Sequence, residues 1–259
     1  MCRLFGILAN QPVDLEFSLM AGEHAFRDLS KRNPDGWGIG SYTADVPKLV
    51  KEPVAATASR TLPRIATSPS RLSICHVRKA TGTPVAERNC HPFQFHKWVF
   101  AHNGSVNDHT RLKDELDFKH RAAIVGDTDS EVYFHWVLQN IEKEGDVVGG
   151  VSAAIRKISD YTGLNFLLAD GEKLYAYRDA SHHVEYYSLF YLERDPKDPG
   201  PTAMRSQELR VLIESKALRG EKAVLVCSER LTDEDWKEVP GGHLLTVGSD
   251  LAVSIERVR

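Results

Sequence analysis

Arg3-Leu-Phe-Gly-Ile-Leu-Ala9 opens the chain and runs straight into Asn10-Gln-Pro12. A short apolar run stopped by a turn signal reads as a buried strand. Asp14 can cap a helix whose inward positions, Leu15, Leu19, Gly22, Phe26 and Leu29, recur at spacings of four and three. Asn33-Pro-Asp-Gly36 is a turn and Trp37–Tyr42 a second strand, so the chain begins β-α-β. Residues 44–70 hold a short strand and a short helix. Ser73–Val77 and Lys97–Ala101 read as further strands, separated by a loop from Arg78 to His96. A loop of that length inside a compact domain is usually functional. Ser130 begins a helix through Val132, Tyr133, Trp136, Val137 and Ile141, closed by Gly145. A second helix runs through Val148, Val151, Ile155 and Ile158 to Gly163. Strands at 165–169 and 174–178 flank an Asp170-Gly171 hairpin turn, and others are expected at 184–192, 209–214, 222–227 and 243–247. His182-His183 reads as a strand surface feature and Asp195–Pro201 as a flexible loop. No repeat or compositional break divides the chain, so residues 1–259 read as one α+β domain.

Composition narrows the function classes. At 259 residues the chain can bury roughly three-quarters of its unfolded surface and needs no staples. Hydrophobic residues at 42% and charged residues at 27% exclude a disordered chain. A net charge of −3 argues against a nucleic-acid partner. No apolar stretch approaches the ~18 residues of a membrane span, and no signal peptide is evident, so a cytoplasmic location is expected. Cys2, Cys75, Cys90 and Cys227 are too sparse for a disulfide framework. Cys75 and Cys227 lie within apolar strands and read as buried; Cys90 is open to either reading.

Several residues carry chemistry. Removal of Met1 would leave Cys2 with a thiol and a free α-amine, whose ordinary pKa of ~7.7–8.0 suits it to take the thiol proton. Read alone, Cys2 is a small residue at a strand start. Asn103-Gly104 ends a strand, and a carboxamide beside a glycine N–H can form an oxyanion hole; read alone, Asn-Gly is a turn. Arg78 enters the long loop, where its guanidinium could grip a carboxylate, or it is a surface arginine. Asp127-Thr-Asp129-Ser-Glu131 precedes a helix, and capping is the reading for Asp127 and Ser130. The eleven histidines show no metal-ligand spacing, and no cofactor motif appears.

Together these segments resemble the stand-alone class II glutamine amidotransferases. The resemblance rests on Cys2 after Met1, Arg32-Asn-Pro-Asp-Gly-Trp-Gly38, His76-Val-Arg-Lys-Ala-Thr81, Asn89-Cys-His-Pro92, His102-Asn-Gly104 and Thr128-Asp-Ser-Glu131, in that order. Ser228-Glu-Arg-Leu231, Trp236 and Pro240-Gly-Gly-His243 extend it to the end of the chain. It implies the N-terminal-nucleophile hydrolase fold, a four-layer αββα sandwich of two antiparallel sheets. It implies an amidohydrolase that cleaves the γ-carboxamide of glutamine, or a γ-glutamyl amide, through a Cys2 thioester, with no metal or cofactor. Asn103 and Gly104 would form the oxyanion hole, Arg78 would hold the glutamyl α-carboxylate and Asp129 the α-ammonium. Thr81 and His91 would line the pocket, and Arg32 would brace the nucleophile. Lys79 and Gly82 stand where fused synthase members have Trp and His, which leaves the substrate open between glutamine and other γ-glutamyl compounds. A separate ammonia-acceptor protein and a homodimer fit the same family. The alternative is a non-catalytic glutamyl-binding or regulatory subunit that keeps the pocket.

Overall fold

The structure, a computed structural model, describes residues 2–21, 25–195 and 222–259. Its strands are β1 (Arg3–Val13), β2 (Trp37–Thr43), β3 (Val46–Glu52), β4 (Ser70–Val77), β5 (Phe93–Phe95), β6 (Trp98–Val106) and β7 (Tyr161–Ala169). They continue as β8 (Leu174–Arg178), β9 (Phe190–Arg194), β10 (Ala223–Cys227), β11 (Lys237–Glu238), β12 (His243–Val247) and β13 (Val253–Arg257). The α-helices are α1 (Leu62–Ala66), α2 (His109–Glu115), α3 (Phe118–Ala122), α4 (Asp129–Glu144) and α5 (Val147–Arg156). One sheet has the order β11-β9-β10-β1-β4-β2-β3 and the other β13-β12-β8-β7-β6-β5, with antiparallel pairing throughout.

Strand alternation sorts the apolar residues into three layers. In β1, Leu4 and Leu8 face the second sheet, where they meet Val99 and Ala101 of β6 and Leu167 of β7. Phe5 and Ile7 face the other way, onto Leu15, Leu19, Phe26 and Leu62. On the far side of the second sheet, Phe100 and Phe166 pack against Tyr133 and Val137 of α4 and Ile155 of α5. Three apolar layers separate four layers of structure: helical segments, sheet, sheet, helices. This is the αββα sandwich expected from the sequence. No helix among the described residues is long and apolar enough to cross a membrane.

Some local expectations change. The helix read from Asp14 to Leu29 is two short turns, Phe17–Ala21 and Phe26–Lys31. The Asp14 carboxylate accepts the Glu16 amide at 3.0 Å, an Asx turn that competes with a helix start. The strand read over 184–192 begins only at Phe190. Before it lies a tight turn, Val184–Tyr187, whose Tyr187 carbonyl is taken by Asn165 Nδ2 and Arg178 Nε instead of a strand ladder. His182 and His183 are exposed ahead of that turn and lie in no strand. The expected strand at 209–214 and all but Asp195 of the expected loop at 195–201 lie outside the described residues. The change that matters most for chemistry is β6. It continues through Asn103 and Gly104, which pair with Asn165 and Leu164 of β7. The Asn-Gly pair is therefore neither a turn nor a strand end.

Candidate active site

Residue parity turns two of the expected site residues, on facing sheets, toward the same layer. Cys2 precedes β1 on the parity of Leu4 and Leu8, which point between the sheets; Asn103 shares its face of β6 with Val99 and Ala101, which point into the same layer. The level along the strands also matches. Leu4 pairs with His76 of β4, and His76 Nε2 lies 3.2 Å from the carbonyl oxygen of His102, the residue before Asn103. One cross-sheet hydrogen bond thus ties the beginning of β1 to the level of Asn103.

The nucleophile candidate is held through its backbone and its sulfur. Ser228 exchanges bonds with Leu4, its Oγ accepting the Leu4 amide at 3.0 Å and its own amide donating to the Leu4 carbonyl at 3.0 Å. Arg3 donates to the Cys2 carbonyl at 3.0 Å and pairs with Glu229. The Lys79 amide donates to Cys2 Sγ at 3.3 Å, and the thiol lies 3.5 Å from the Lys79 carbonyl. Burial pushes the Cys2 thiol above the usual range, against the pull of the Lys79 amide and the Arg78 charge; Asp129 pushes it further up. A thiol so placed needs a base to become a nucleophile.

Asn103 is 1% exposed, and neither its Nδ2 nor its Oδ1 has a hydrogen-bond partner. A buried carboxamide left unpaired is costly, and such groups call for an explanation. β5 covers β6 only as far as Phe100, so from Ala101 onward only the β7 edge of β6 is paired among the described strands. Gly104 is required by close approach: a Cβ there would stand 1.9 Å from the Gly163 carbonyl oxygen. His102 fixes this stretch in place, its ring nitrogens 2.9 Å from Ser130 Oγ at the start of α4 and 3.0 Å from the Gly163 carbonyl.

The two recognition candidates carry opposite charges near the thiol. Arg78 is 3% exposed, and its guanidinium donates to Thr83 Oγ1 at 2.7 Å and the Pro84 carbonyl at 3.3 Å. It has no carboxylate partner among the described residues, so two donors anchor it to the loop and the remainder stay available. Asp129 accepts the Val106 amide at 2.7 Å through Oδ2, which ties the end of β6 to α4. It is not the helix cap. Thr128 is, accepting the Glu131 amide at 3.2 Å. The expected caps do other work: Asp127 pairs with Arg88 and Asn89, and Ser130 bonds His102.

The supporting candidates divide. His91 is buried, its ring tilted against that of His76 at 4.2 Å and edge-on to Phe93 at 4.6 Å, with both ring nitrogens unpaired. Burial, with the neighbouring His76 and His102, holds it far below the usual histidine range and therefore neutral. Its carbonyl explains the Trp37-Gly38 segment, because a Cβ on Gly38 would lie 2.2 Å from that oxygen. Thr81 is exposed and makes no hydrogen bond among the described residues, while Thr83 does the work of holding Arg78. Arg32 is exposed on the wall of a cleft of ≈ 980 Å³, with no hydrogen bond to Cys2. Asp35, which sequence reasoning passed over, accepts the Ala80 amide at 2.8 Å and so shapes the loop after Arg78. Cys90 is buried. No cluster of metal-ligating side chains occurs among the described residues.

Residues 1–256 match the profile of the family described as glutamine amidotransferases class-II. The chain belongs to that family. An uncharacterized protein of Methanocaldococcus jannaschii is 32% identical over 257 residues, covering 95% of this chain and 68% of that protein. Among solved structures, a glutamine aminotransferase class-II domain protein from Silicibacter pomeroyi superposes with a TM-score of 0.66 at 23% identity, over 99% of each chain. The glutamine phosphoribosylpyrophosphate amidotransferase of B. subtilis gives 0.68 at 18% identity, over 100% of this chain and 49% of its own. These likenesses show the fold, the N-terminal-nucleophile hydrolase sandwich. A class II glutamine amidotransferase is an enzyme of glutamine amide hydrolysis or transfer.

Proposed function

We propose that this amidotransferase hydrolyses the γ-carboxamide of glutamine, or a γ-glutamyl amide, through a thioester on Cys2 once Met1 has been removed. The observation that carries the reading is Asn103, a buried carboxamide with no partner, beside Gly104 and on the parity of β6 that faces the inter-sheet layer, as Cys2 is on that of β1. The glutamyl α-carboxylate pairs with Arg78 and the α-ammonium with Asp129, a charge pattern that matches an amino acid at both ends. The α-amine of Cys2 takes the thiol proton as sulfur bonds to the carbonyl carbon. Asn103 Nδ2 and the Gly104 amide donate to the oxygen as it becomes an oxyanion, each such donor contributing about 2.7–4 kcal/mol. The carbon–nitrogen bond breaks, and the ammonium passes its proton to the leaving nitrogen. Water then attacks the thioester with the same amine as base, which releases glutamate and restores the thiol.

Arg32, Thr81 and His91 enter this reading only as surroundings of the pocket. Residues 1–259 act as one domain, and the released ammonia is available to an acceptor protein. A cytoplasmic location suits a nucleophilic thiol that has to stay reduced.

The test joins intact-mass analysis to turnover. Protein whose mass shows Cys2 at the N-terminus should hydrolyse substrate and form a covalent adduct with an electrophilic glutamine analogue, and Cys2→Ala should do neither. Equal turnover by protein that retains Met1 would refute the mechanism. Tight glutamine binding with no adduct would favour a non-catalytic binding subunit.

A further inference from the structure

Asn89 is the counterpart of Asn103. Both are buried carboxamides, but Asn89 has its oxygen and both amide hydrogens engaged. Its Nδ2 donates to the Pro84 carbonyl and to Asp127 Oδ2, each at 3.1 Å, and its Oδ1 accepts the Asp127 amide at 2.8 Å.

On one side these bonds lead to Arg78. The Pro84 carbonyl also accepts the Arg78 guanidinium at 3.3 Å, and the adjacent Thr83 holds its other nitrogen at 2.7 Å. On the other side they lead through Asp127 and the cap Thr128 to Asp129, which opens α4. Successive amides are fastened there by side chains, Val125 and Gly126 by the Glu131 carboxylate at 3.1 and 2.6 Å and Asp127 by Asn89. The junction has no slack: a Cβ on Gly126 would stand 2.8 Å from Asn89 Oδ1, from the Arg88 carbonyl oxygen and from Glu131 Oε2. Arg78 follows β4 of one sheet, whereas Asp129 begins a helix packed on the other. Neither sheet's own ladder therefore fixes the distance between the two charges. Arg88 also reaches Asp127, at 2.9 Å, but both side chains are about half exposed, and such a pair holds little against water.

We infer that Asn89 is a positioning residue for substrate recognition, fixing the spacing between the Arg78 guanidinium and the Asp129 carboxylate so that both ends of one α-amino acid are met together. The inference rests on the reading of Arg78 and Asp129 as the glutamyl contacts. A two-ended clamp works only while its ends keep their distance, and a misplacement of about 1 Å can cost a factor of about 10². Without the Asn89 carboxamide, the Pro84 carbonyl and the Asp127 amide lose their shared partner. The loop that anchors Arg78 is then freed from the segment that leads into α4. Asn89 acts through Arg78 and Asp129, not on the substrate.

The probes are the diazoketone analogue of glutamine, an electrophile that carries the α-carboxylate and α-ammonium, and iodoacetamide, which carries neither. In protein verified to begin at Cys2, the ratio of their second-order rates of Cys2 alkylation, read by peptide mass, measures recognition. Because the ratio is taken within each variant, a general change in thiol reactivity cancels. Relative to wild type, Asn89→Ala should lower the ratio by about tenfold or more, the loss of one charge-assisted bond. Asn89→Asp, which keeps the shape but withdraws both donors and sets a carboxylate against Asp127, should lower it as far. Arg88→Ala should leave it within twofold. Thermal melts show which variants are folded. A ratio unchanged in a folded Asn89 variant, while Arg78→Lys lowers it, overturns the positioning role and leaves the glutamyl reading standing. A ratio unmoved by both Arg78→Lys and Asp129→Asn refutes the glutamyl reading and the inference with it. Failure of both Asn89 variants to fold makes Asn89 a structural residue and overturns the positioning role as well.

Discussion

Replacing Asn103 by leucine should make the protein more stable and nearly inactive at once. The two side chains share a branched outline of four heavy atoms, leucine being the bulkier, so the swap removes polarity at the cost of some added volume. Asn103 is 1% exposed, and both its polar atoms lack partners. A buried polar group without a hydrogen bond costs about 1–3 kcal/mol, which leucine would recover. At about 2–4 °C per kcal/mol for a chain of this size, melting should rise by a few degrees. The same substitution deletes one oxyanion donor, so kcat should fall by about 10²–10³ while KM changes little. Differential scanning calorimetry and steady-state hydrolysis on one preparation measure both effects. A fall in melting temperature would mean that the carboxamide has a structural partner. Activity within tenfold of wild type would mean that it is not an oxyanion donor. Either result refutes the argument, because a structural asparagine and a catalytic one move the two readouts in opposite directions.

Other outcomes follow from the same geometry. Arg78→Lys should raise KM for glutamyl substrates and lower kcat/KM roughly 10- to 150-fold, since an ammonium cannot both hold Thr83 and Pro84 and present a fork to a carboxylate; a KM unchanged within twofold would remove Arg78 from recognition. Asp129→Asn should keep the melting temperature, because an amide oxygen can still accept the Val106 amide, yet lose a similar factor in kcat/KM; early melting with normal turnover would make Asp129 structural. Stability should drop on acidification. Burial lowers His76 to about 3 and His135 to about 4, so between pH ~6.5 and those values the unfolded chain binds protons that the native state refuses. Each such histidine removes about 1.4 kcal/mol per pH unit as pH falls through that window, and His135→Gln should reduce the difference in urea midpoint between pH 7 and pH 5; an undiminished difference would contradict its burial as a neutral group.

What was legible in the sequence was what local pattern alone decides. The apolar run at Arg3–Ala9 had no other stable use than a buried strand. Helix α4 carries both a 3.6-residue period and Gly145, whose φ of 79° closes it. The cap of α4 was not legible: capping was expected at Asp127 and Ser130, whereas Thr128 accepts the Glu131 amide and the Glu131 carboxylate takes the Val125 and Gly126 amides. Asn103-Gly104 stood out in the sequence as a candidate pair, but its place within a strand was not legible, because that pairing depends on Asn165 and Leu164, sixty residues away. The helix read from Asp14 failed because its spacing of four and three also serves two short turns that lay Leu19 and Phe26 on the same sheet. Nothing in the sequence distinguishes Thr83, which holds Arg78, from Thr81, which does not. That difference lies in the path of the loop, which Asp35 sets from another part of the chain.

The alternation of β1 links the site to the core. A shift of one residue in β1 would turn Phe5 and Ile7 between the sheets and expel Leu4 and Leu8 to the outer layer, and it would carry Cys2 away from the face of Asn103. The fold therefore cannot relax its register without losing the juxtaposition, and the apolar burial that holds the register also holds Cys2. His76 occupies a level where the two sheets exchange a polar contact, next to Leu4 on one side and bonded to the His102 carbonyl on the other. At that level the layer changes from apolar packing to the unpaired polar atoms of Asn103, His91 and His76. A sandwich that fills its middle with leucine and valine and leaves such atoms at one end has placed the cost of unpaired polarity where a substrate can repay it.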